Sequence, residues 1–221
     1  ACREALADGA RQAIPVGVAC AVVGIVIGTM TLTGVGTIFG NAVVAVGRES
    51  LFMALILTMI VSLILGMGIP TIPNYIITSS LAAPALLVLG VPLIVSHMFV
   101  FYFGIMADLT PPVALAAFAA APIARESGLK ISLQALRVAI AGFIVPFMAV
   151  YSPALMLQGG GALATAYVVF KALIAIGMWG AGAIGFLFGP LNLLERLAAI
   201  VAASFLVAAL PMTDEIGLAG V

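Results

Sequence analysis

Charged side chains are scarce in this sequence. Asp, Glu, Lys and Arg make up only 7% of its 221 residues, whereas a soluble globular domain carries about 25%. Hydrophobic residues contribute 65%, and the mean hydropathy is +1.35. Because so few polar side chains cannot coat a water-soluble globule, the composition and the long apolar runs predict an all-α integral membrane protein.

Other shortages exclude further classes of function. The formal net charge is zero and no basic run is present, so nothing predicts a nucleic-acid-binding surface. With His97 as the single histidine and only two cysteines, the chain lacks the ligands of a His/Cys metal centre. The opening residues, ACREALADGARQ, lack an initiating Met and do not form a signal peptide, so we expect the chain to be a segment of a longer protein.

Short charged stretches divide the chain into apolar runs. The runs fall at about 14–46, 51–66, 75–95, 97–123, 138–157, 161–188 and 197–211. Since a helix needs about 20 apolar residues to cross the hydrocarbon core, several runs predict full crossings. The stretch 124–137 carries basic residues and is expected to be a loop, which the positive-inside rule assigns to the cytoplasmic face.

These runs predict four regions. Residues 1–50 are expected to form an N-terminal transmembrane segment, and 51–95 a helical hairpin. Residues 96–158 are expected to form a broken helix and a following transmembrane helix. Residues 159–221 are expected to form further transmembrane helices.

The hairpin is predicted from the connection GMGIPTIPNY, whose tip lies at 66–74. It has two Gly, two Pro and no charge, which indicates a re-entrant turn that stays at membrane depth. A tight external turn between two full crossings is the alternative. The tip offers the carbonyls of Gly66 and Gly68, the Thr71 hydroxyl and the Asn74 amide.

The stretch GIMADLTPPVALAAF places a charge and two prolines inside an apolar run. Pro111 and Pro112 lack amide hydrogens, which removes the helical donors for the carbonyls of Ala107 and Asp108. A proline also disfavours helical backbone at the residue before it. We therefore expect two half-helices joined by an unwound link near 107–111.

The hairpin tip at 66–74 and the link near 107–111 each bring together hard oxygen ligands, which suit an alkali or alkaline-earth cation. The link offers freed carbonyls, the Asp108 carboxylate and the Thr110 hydroxyl. Broken helices near the midplane indicate the binding site of a secondary transporter, and a charge within the membrane marks function by default. Two alternatives stay open, namely a proline kink without a ligand and Asp108 as a helix cap near the interface.

Three segments resemble, in order and spacing, a known family of transporters: LGMGIPTIPNYIITSSLAAPAL, HMFVFYFGIMADLTPPVALAAFAAAPIA and AIAGFIVPFMAVYSPALML. The family is the large membrane subunit of tripartite ATP-independent periplasmic (TRAP) transporters. The chain is most similar to the second half of the fused-permease branch that works with a TAXI-type binding protein. The resemblance is strong over 1–158, and the tail is similar to that branch's extra C-terminal helices. Dicarboxylate-type members carry an acid soon after the hairpin's Gly-Met, where this chain has Gly68, Ile69 and Pro70.

The resemblance implies one inverted repeat of an elevator-type, sodium-coupled transporter. It implies uptake of an organic anion, a carboxylate, delivered by a periplasmic TAXI-type solute-binding protein. The other implied partners are the N-terminal half of the permease, a small membrane subunit or fused domain, and the lipid bilayer. The implied location is multi-pass in a bacterial or archaeal cytoplasmic membrane, with sodium as the coupling ion and no further cofactor.

The candidate site residues come from the tip and the link. Those predicted for sodium are Gly66, Gly68, Thr71, Asp108, Thr110 and Pro111. Asn74 and Thr110 are expected to face the substrate.

The residues also bear on two other classes of function, an intramembrane enzyme and a channel or scaffolding subunit. An intramembrane aspartyl protease needs two facing carboxylates, and only Asp108 is clearly embedded. A serine hydrolase would have to use His97, and no G-x-S-x-G motif is present. We therefore do not expect an enzyme. A membrane channel, or a scaffolding subunit without coupled transport, is the alternative to a transporter.

Overall fold

The all-helical architecture expected from the composition is confirmed. The computed structural model describes residues 2–159 and 161–207, and within these ranges the chain forms α-helices and two short 3₁₀-helices but no β-strand. The 3₁₀-helices are Ile140–Phe143 and Pro153–Met156. The α-helices are α1 (Cys2–Thr33), α2 (Val35–Glu49), α3 (Leu51–Gly66), α4 (Thr71–Leu81), α5 (Ala83–Val88), α6 (Leu93–Met106), α7 (Leu115–Ala124), α8 (Gly128–Ala139), α9 (Val145–Tyr151), α10 (Ala162–Ile184) and α11 (Leu193–Val207).

The described residues form two compact units. Unit 1 consists of the chain up to Gly90 together with Val100–Asp108, and unit 2 consists of Val91–Phe99 with the chain from Leu109 onward. Helix α6 therefore begins in unit 2 and ends in unit 1. The predicted hairpin tip belongs to unit 1, whereas the predicted link is divided between the units.

Length and hydropathy identify helices that can cross a membrane. Within the described residues, Thr71–Val88 and Ala162–Ile184 are long and apolar enough to do so, with mean hydropathies of 1.3 and 1.8. Cys20–Thr33 and Val35–Glu49 pass the same test only as a pair, while α3, α6 and α7 are shorter apolar helices. The predicted run at 161–188 is thus a helix of spanning length. The end of the run at 197–211 lies outside the described residues.

The apolar run 14–46 is interrupted, which the sequence did not lead us to expect. Helices α1 and α2 meet at Gly34, whose φ of +73° lies in the left-handed region that favours glycine. Just before it, Thr29, Thr31 and Thr33 each donate a hydrogen bond of 2.8 Å to the carbonyl four residues earlier. Because such back-bonding bends helices, the hydroxyls and the glycine together account for the 70° bend.

The prediction of a loop at 124–137 is wrong, because helix α8 occupies most of this stretch. The Ser127 hydroxyl accepts a hydrogen bond from the Lys130 amide and so caps the first turn of α8. The Lys130 ammonium also pairs with the Glu126 carboxylate at 2.6 Å. Arg125 and Glu126 precede α8, whereas Lys130 and Arg137 are seven residues apart within it and so lie on one face of an amphipathic helix.

The run 138–157 also departs from a single crossing. It contains the end of α8, a 3₁₀-helix, α9 and a second 3₁₀-helix. Pro146 and Pro153 each lie in the first turn of the element that they open. A proline at that position costs no helical hydrogen bond, but it cannot continue a preceding helix. The prolines therefore divide this run into short elements.

Each unit has an apolar core. In unit 1, α1 packs against α4, and α2 packs against α3 and α5; the buried residues at these contacts are Val23, Ile77, Leu81, Val43, Ala54 and Ala85. In unit 2, α10 packs against α11 and the α8–α9 region. Arg196 of α11 donates hydrogen bonds to the carbonyls of Gly182 (2.8 Å) and Ala183 (3.0 Å), and so caps the C-terminus of α10.

Substitution of the glycine at the α1–α2 bend tests the cause of the bend. We expect Gly34→Ala to lower the free energy of unfolding by about 1–2 kcal/mol, because alanine is strained at positive φ. Gly28→Ala is the matched control, since Gly28 lies within α1 and an added methyl group meets nothing within 4 Å at either position. The control is expected to raise stability by roughly 0.5–1 kcal/mol. Equal effects in thermal unfolding of the detergent-solubilised protein would contradict the assignment.

Candidate functional site

The predicted tip is a short turn between two helices that contact each other. Helix α3 ends at Gly66, and α4 begins at Thr71 after Pro70. Gly68 has a φ of +77° and Pro70 a φ of −57°, so each residue type suits its backbone position. Gly68 and Thr71 are exposed, whereas Gly66 is buried.

Asn74 joins this hairpin to the end of helix α6. It lies in the first turn of α4, and only 1% of its surface is exposed. Its Nδ2 atom donates a hydrogen bond of 2.7 Å to the carbonyl oxygen of Gly104. Since a carbonyl can only accept, the nitrogen of the carboxamide must face Gly104. Tyr75 packs edge-on against Phe101 at 5.4 Å between ring centroids, which adds an apolar contact between the same two helices.

Two glycines make room for the Asn74 carboxamide. A methyl group added at Gly66 would lie 2.6 Å from the Gly104 carbonyl oxygen and 2.8 Å from Asn74 Nδ2. It would also lie 2.9 Å from Ala107 Cβ. A methyl group added at Gly104 would lie 2.8 Å from Asn74 Oδ1. Helices α3, α4 and α6 therefore approach so closely here that only glycine fits.

The backbone of α6 ends as the double proline predicts. Beyond Met106, the Asp108 amide donates to the Ile105 carbonyl, three residues earlier instead of four. Turns then continue to Ala114, and the Pro111–Pro112 peptide bond is cis. Among the described residues, no backbone amide donates to the carbonyls of Ala107 or Asp108. These two carbonyls lie on the unit 1 side of the link.

Three buried oxygen atoms of unit 1 make no hydrogen bond with any described residue. They are Asn74 Oδ1, Asp108 Oδ1 and Ser62 Oγ. A buried polar atom without a partner costs about 1–3 kcal/mol, so such atoms are rare in folded proteins and require a partner such as an ordered water or a bound ion. Two of these three atoms belong to residues that the sequence had singled out.

The predicted site residues are distributed between the two units. Those in unit 1 are Gly66, Gly68, Thr71, Asn74 and Asp108, and those in unit 2 are Thr110 and Pro111. Within unit 1, the structure places Gly66 and Asn74 together against Gly104 and Ala107. Asp108 follows Ala107 directly and is half-buried.

Sequence reasoning missed Gly104 and Ser62, and it named Ala107 for its carbonyl but not for the close contact of its side chain with Gly66. Gly104 and Ala107 are three residues apart near the end of α6, a spacing that puts small side chains on one helix face. Small residues on one helix face let membrane helices approach closely, and that signal was available. Ser62 is a single serine in an apolar helix, and nothing in its surroundings along the chain distinguishes it.

Comparison with known families identifies the chain. A family model described as "Tripartite ATP-independent periplasmic transporter, DctM component" matches residues 1–160. The chain belongs to this family. The expected resemblance to TRAP permeases is thereby confirmed, and the DctM chain is a membrane-embedded transporter component rather than a member of an enzyme family. No curated protein and no solved structure matches the chain significantly.

The close packing around Asn74 is tested by a double-mutant cycle. Gly104→Ala is expected to destabilise the DctM chain by about 1–3 kcal/mol, because the added methyl group overpacks the carboxamide. In an Asn74→Ala background the same change is expected to cost less, since the obstructing atoms are gone. Gly24→Ala, where an added methyl group meets nothing within 4 Å, is the control for a glycine in a helix. Equal costs of Gly104→Ala in both backgrounds, measured by thermal unfolding, would disprove the contact.

Proposed function

We propose that this DctM chain is the C-terminal half of a sodium-coupled TRAP permease of the TAXI type. It takes up an organic anion, a carboxylate, which a periplasmic solute-binding protein delivers. It works in a bacterial or archaeal cytoplasmic membrane with the N-terminal half of the permease and a small membrane subunit or fused domain. Family membership supports transport, and the buried, unpartnered oxygens of Asn74 and Asp108 support cation coupling.

A cation is the ligand class that best suits these oxygens. Carboxamide and carboxylate oxygens accept hydrogen bonds or bind metal ions, and a bound cation removes the cost of leaving them unpaired. Among the described residues, no three His, Cys, Asp or Glu side chains cluster. One carboxylate assisted by neutral oxygens carries a charge that a monovalent ion balances, whereas calcium sites usually use several carboxylates. Sodium therefore fits this set better than a divalent ion.

The Asn74 hydrogen bond refines the role proposed for that residue. One of the two N–H groups of its carboxamide is bound to Gly104, whereas its oxygen has no hydrogen-bond partner among the described residues. An acceptor oxygen repels a substrate carboxylate but suits a cation or a substrate hydroxyl. We therefore place Asn74 on the sodium side of the proposed site, and Thr110 keeps its proposed role toward the substrate. The roles of Gly68, Thr71 and Pro111 rest on the sequence and the resemblance alone.

The coupling we propose follows from the connection between the tip and α6. The Asn74–Gly104 hydrogen bond ties the first turn of α4 to the last turn of α6, so the two move together. Sodium binding at their oxygens neutralises Asp108 before the transport domain slides against its scaffold, because an uncompensated charge is costly inside the bilayer. The tip residues then act as the gate of an elevator-type cycle.

The carboxylate of Asp108 is tested in the intact permease. Asp108→Asn, reconstituted in proteoliposomes with its binding protein, is expected to raise the sodium concentration for half-maximal uptake about tenfold or more. The reason is that an interaction with a charged group contributes roughly 1.5–3 kcal/mol. Asp8→Asn is the matched control, since Asp8 lies exposed at the start of α1 and faces Arg11 at 3.8 Å.

The outcomes separate the proposals. Normal uptake with unchanged sodium dependence in Asp108→Asn would remove Asp108 from the site. Uptake by the unmodified permease that neither saturates nor requires a sodium gradient would favour the channel instead. A shift of equal size in the Asp8→Asn control would show that surface charge, rather than the buried oxygen, sets the sodium dependence.

A further inference from the structure

A groove on the surface of unit 1 shares no residue with the candidate site. It has a volume of about 520 Å³ and lies between α1, α2 and the α4–α5 segment. A smaller, entirely apolar cavity of about 160 Å³ adjoins it, because Met30, Gly36 and Leu81 line both. The groove is therefore open on one side and adjoins a more enclosed apolar cavity.

One wall of the groove carries most of its polar groups, and the other is mainly apolar. The polar wall is a face of α2, where Thr37, Asn41 and Arg48 recur at helical spacing. The apolar wall comes from α1 and α4–α5 and includes Met30 and Leu81, with Thr31 and Ser80 as its two polar residues. The shape suits an elongated molecule that is polar along one side and apolar along the other.

Arg48 carries the only full charge among the residues that line this groove. It lies in the last turn of α2, is exposed, and forms no ion pair with any residue that the structure describes. A guanidinium offers a planar set of donors that binds phosphate oxygens in pairs. The charge of the groove therefore favours an anionic group, and a phosphate in particular.

We propose that this groove binds one glycerophospholipid, with its phosphate on Arg48 and one acyl chain along the apolar wall. The part of α2 from Gly36 to Arg48 is roughly 18 Å long at a rise of about 1.5 Å per residue. One leaflet of a bilayer core is about 15 Å deep, which is the reach of an acyl chain. A small water-soluble anion would leave the apolar wall uncovered, and a neutral lipid would leave Arg48 unpaired.

The glycines of α2 provide a way to close the groove without disturbing the fold. Gly40 lines the groove, and a methyl group added there meets nothing within 4 Å. Gly40→Leu therefore projects into the space assigned to the acyl chain. Gly24 lies in α1 with equally open surroundings and does not line the groove, so Gly24→Leu is its matched control.

The test measures lipid binding to the intact permease by native mass spectrometry in mild detergent, with dioleoyl-phosphatidylglycerol as the probe. We expect one lipid to remain bound to the unmodified protein, and Arg48→Gln to weaken its binding about tenfold. Gly40→Leu is expected to weaken binding by a similar factor. Arg137→Gln, which removes an arginine from the last turn of α8, and Gly24→Leu are expected to bind as the unmodified protein does.

Two further probes separate the parts of the lipid. Dioleoylglycerol has the same chains without phosphate and is expected to bind at least tenfold more weakly, and inorganic phosphate is expected not to compete at millimolar concentration. Equal binding of dioleoylglycerol, competition by free phosphate, or no effect of either Arg48→Gln or Gly40→Leu would each overturn the proposal. Lipid binding is read without transport, so this result is independent of the sodium coupling proposed above.

Discussion

The hydrogen bond from Asn74 to the Gly104 carbonyl is the constraint on which the candidate site depends. In a continuous helix the Gly104 carbonyl would accept from the amide of Asp108, but that amide turns to Ile105 where α6 ends. The Ala107 amide donates to this carbonyl at 3.3 Å, and the Asn74 side chain adds a shorter hydrogen bond at 2.7 Å. Asn74, thirty residues earlier in the chain, thus caps the end of a broken helix. The glycines at 66 and 104 leave the space that its carboxamide occupies.

Other helix ends of the DctM chain use side chains in the same way. Arg196 caps the last turn of α10, and the Glu195 carboxylate accepts from the Asn192 amide at the start of α11. In a bilayer, no water is available for the free amides and carbonyls at helix ends, so they must find partners within the protein. Side chains at the ends of α10 and α11 supply such partners.

The parts of the fold that the sequence predicted are those set by local backbone chemistry. The turn after Gly66 and the break after Met106 follow from glycine and proline, whose effects reach only a few residues. The interaction partner of Asn74 could not be predicted, because a hydrogen bond between distant residues leaves no periodic signal. Helix α8 was not predicted because Lys130 and Arg137 interrupt the apolar pattern, although their seven-residue spacing places both on one helix face.

The threonines of α1 have a consequence for how the chain enters a membrane. Hydropathy scales treat each threonine as a polar residue, and insertion of a segment depends on the sum over its residues. Thr29, Thr31 and Thr33 each satisfy their hydroxyl on a carbonyl of their own helix. Because these hydroxyls are already hydrogen-bonded within the helix, transfer of this segment from water into a bilayer costs less than its composition indicates.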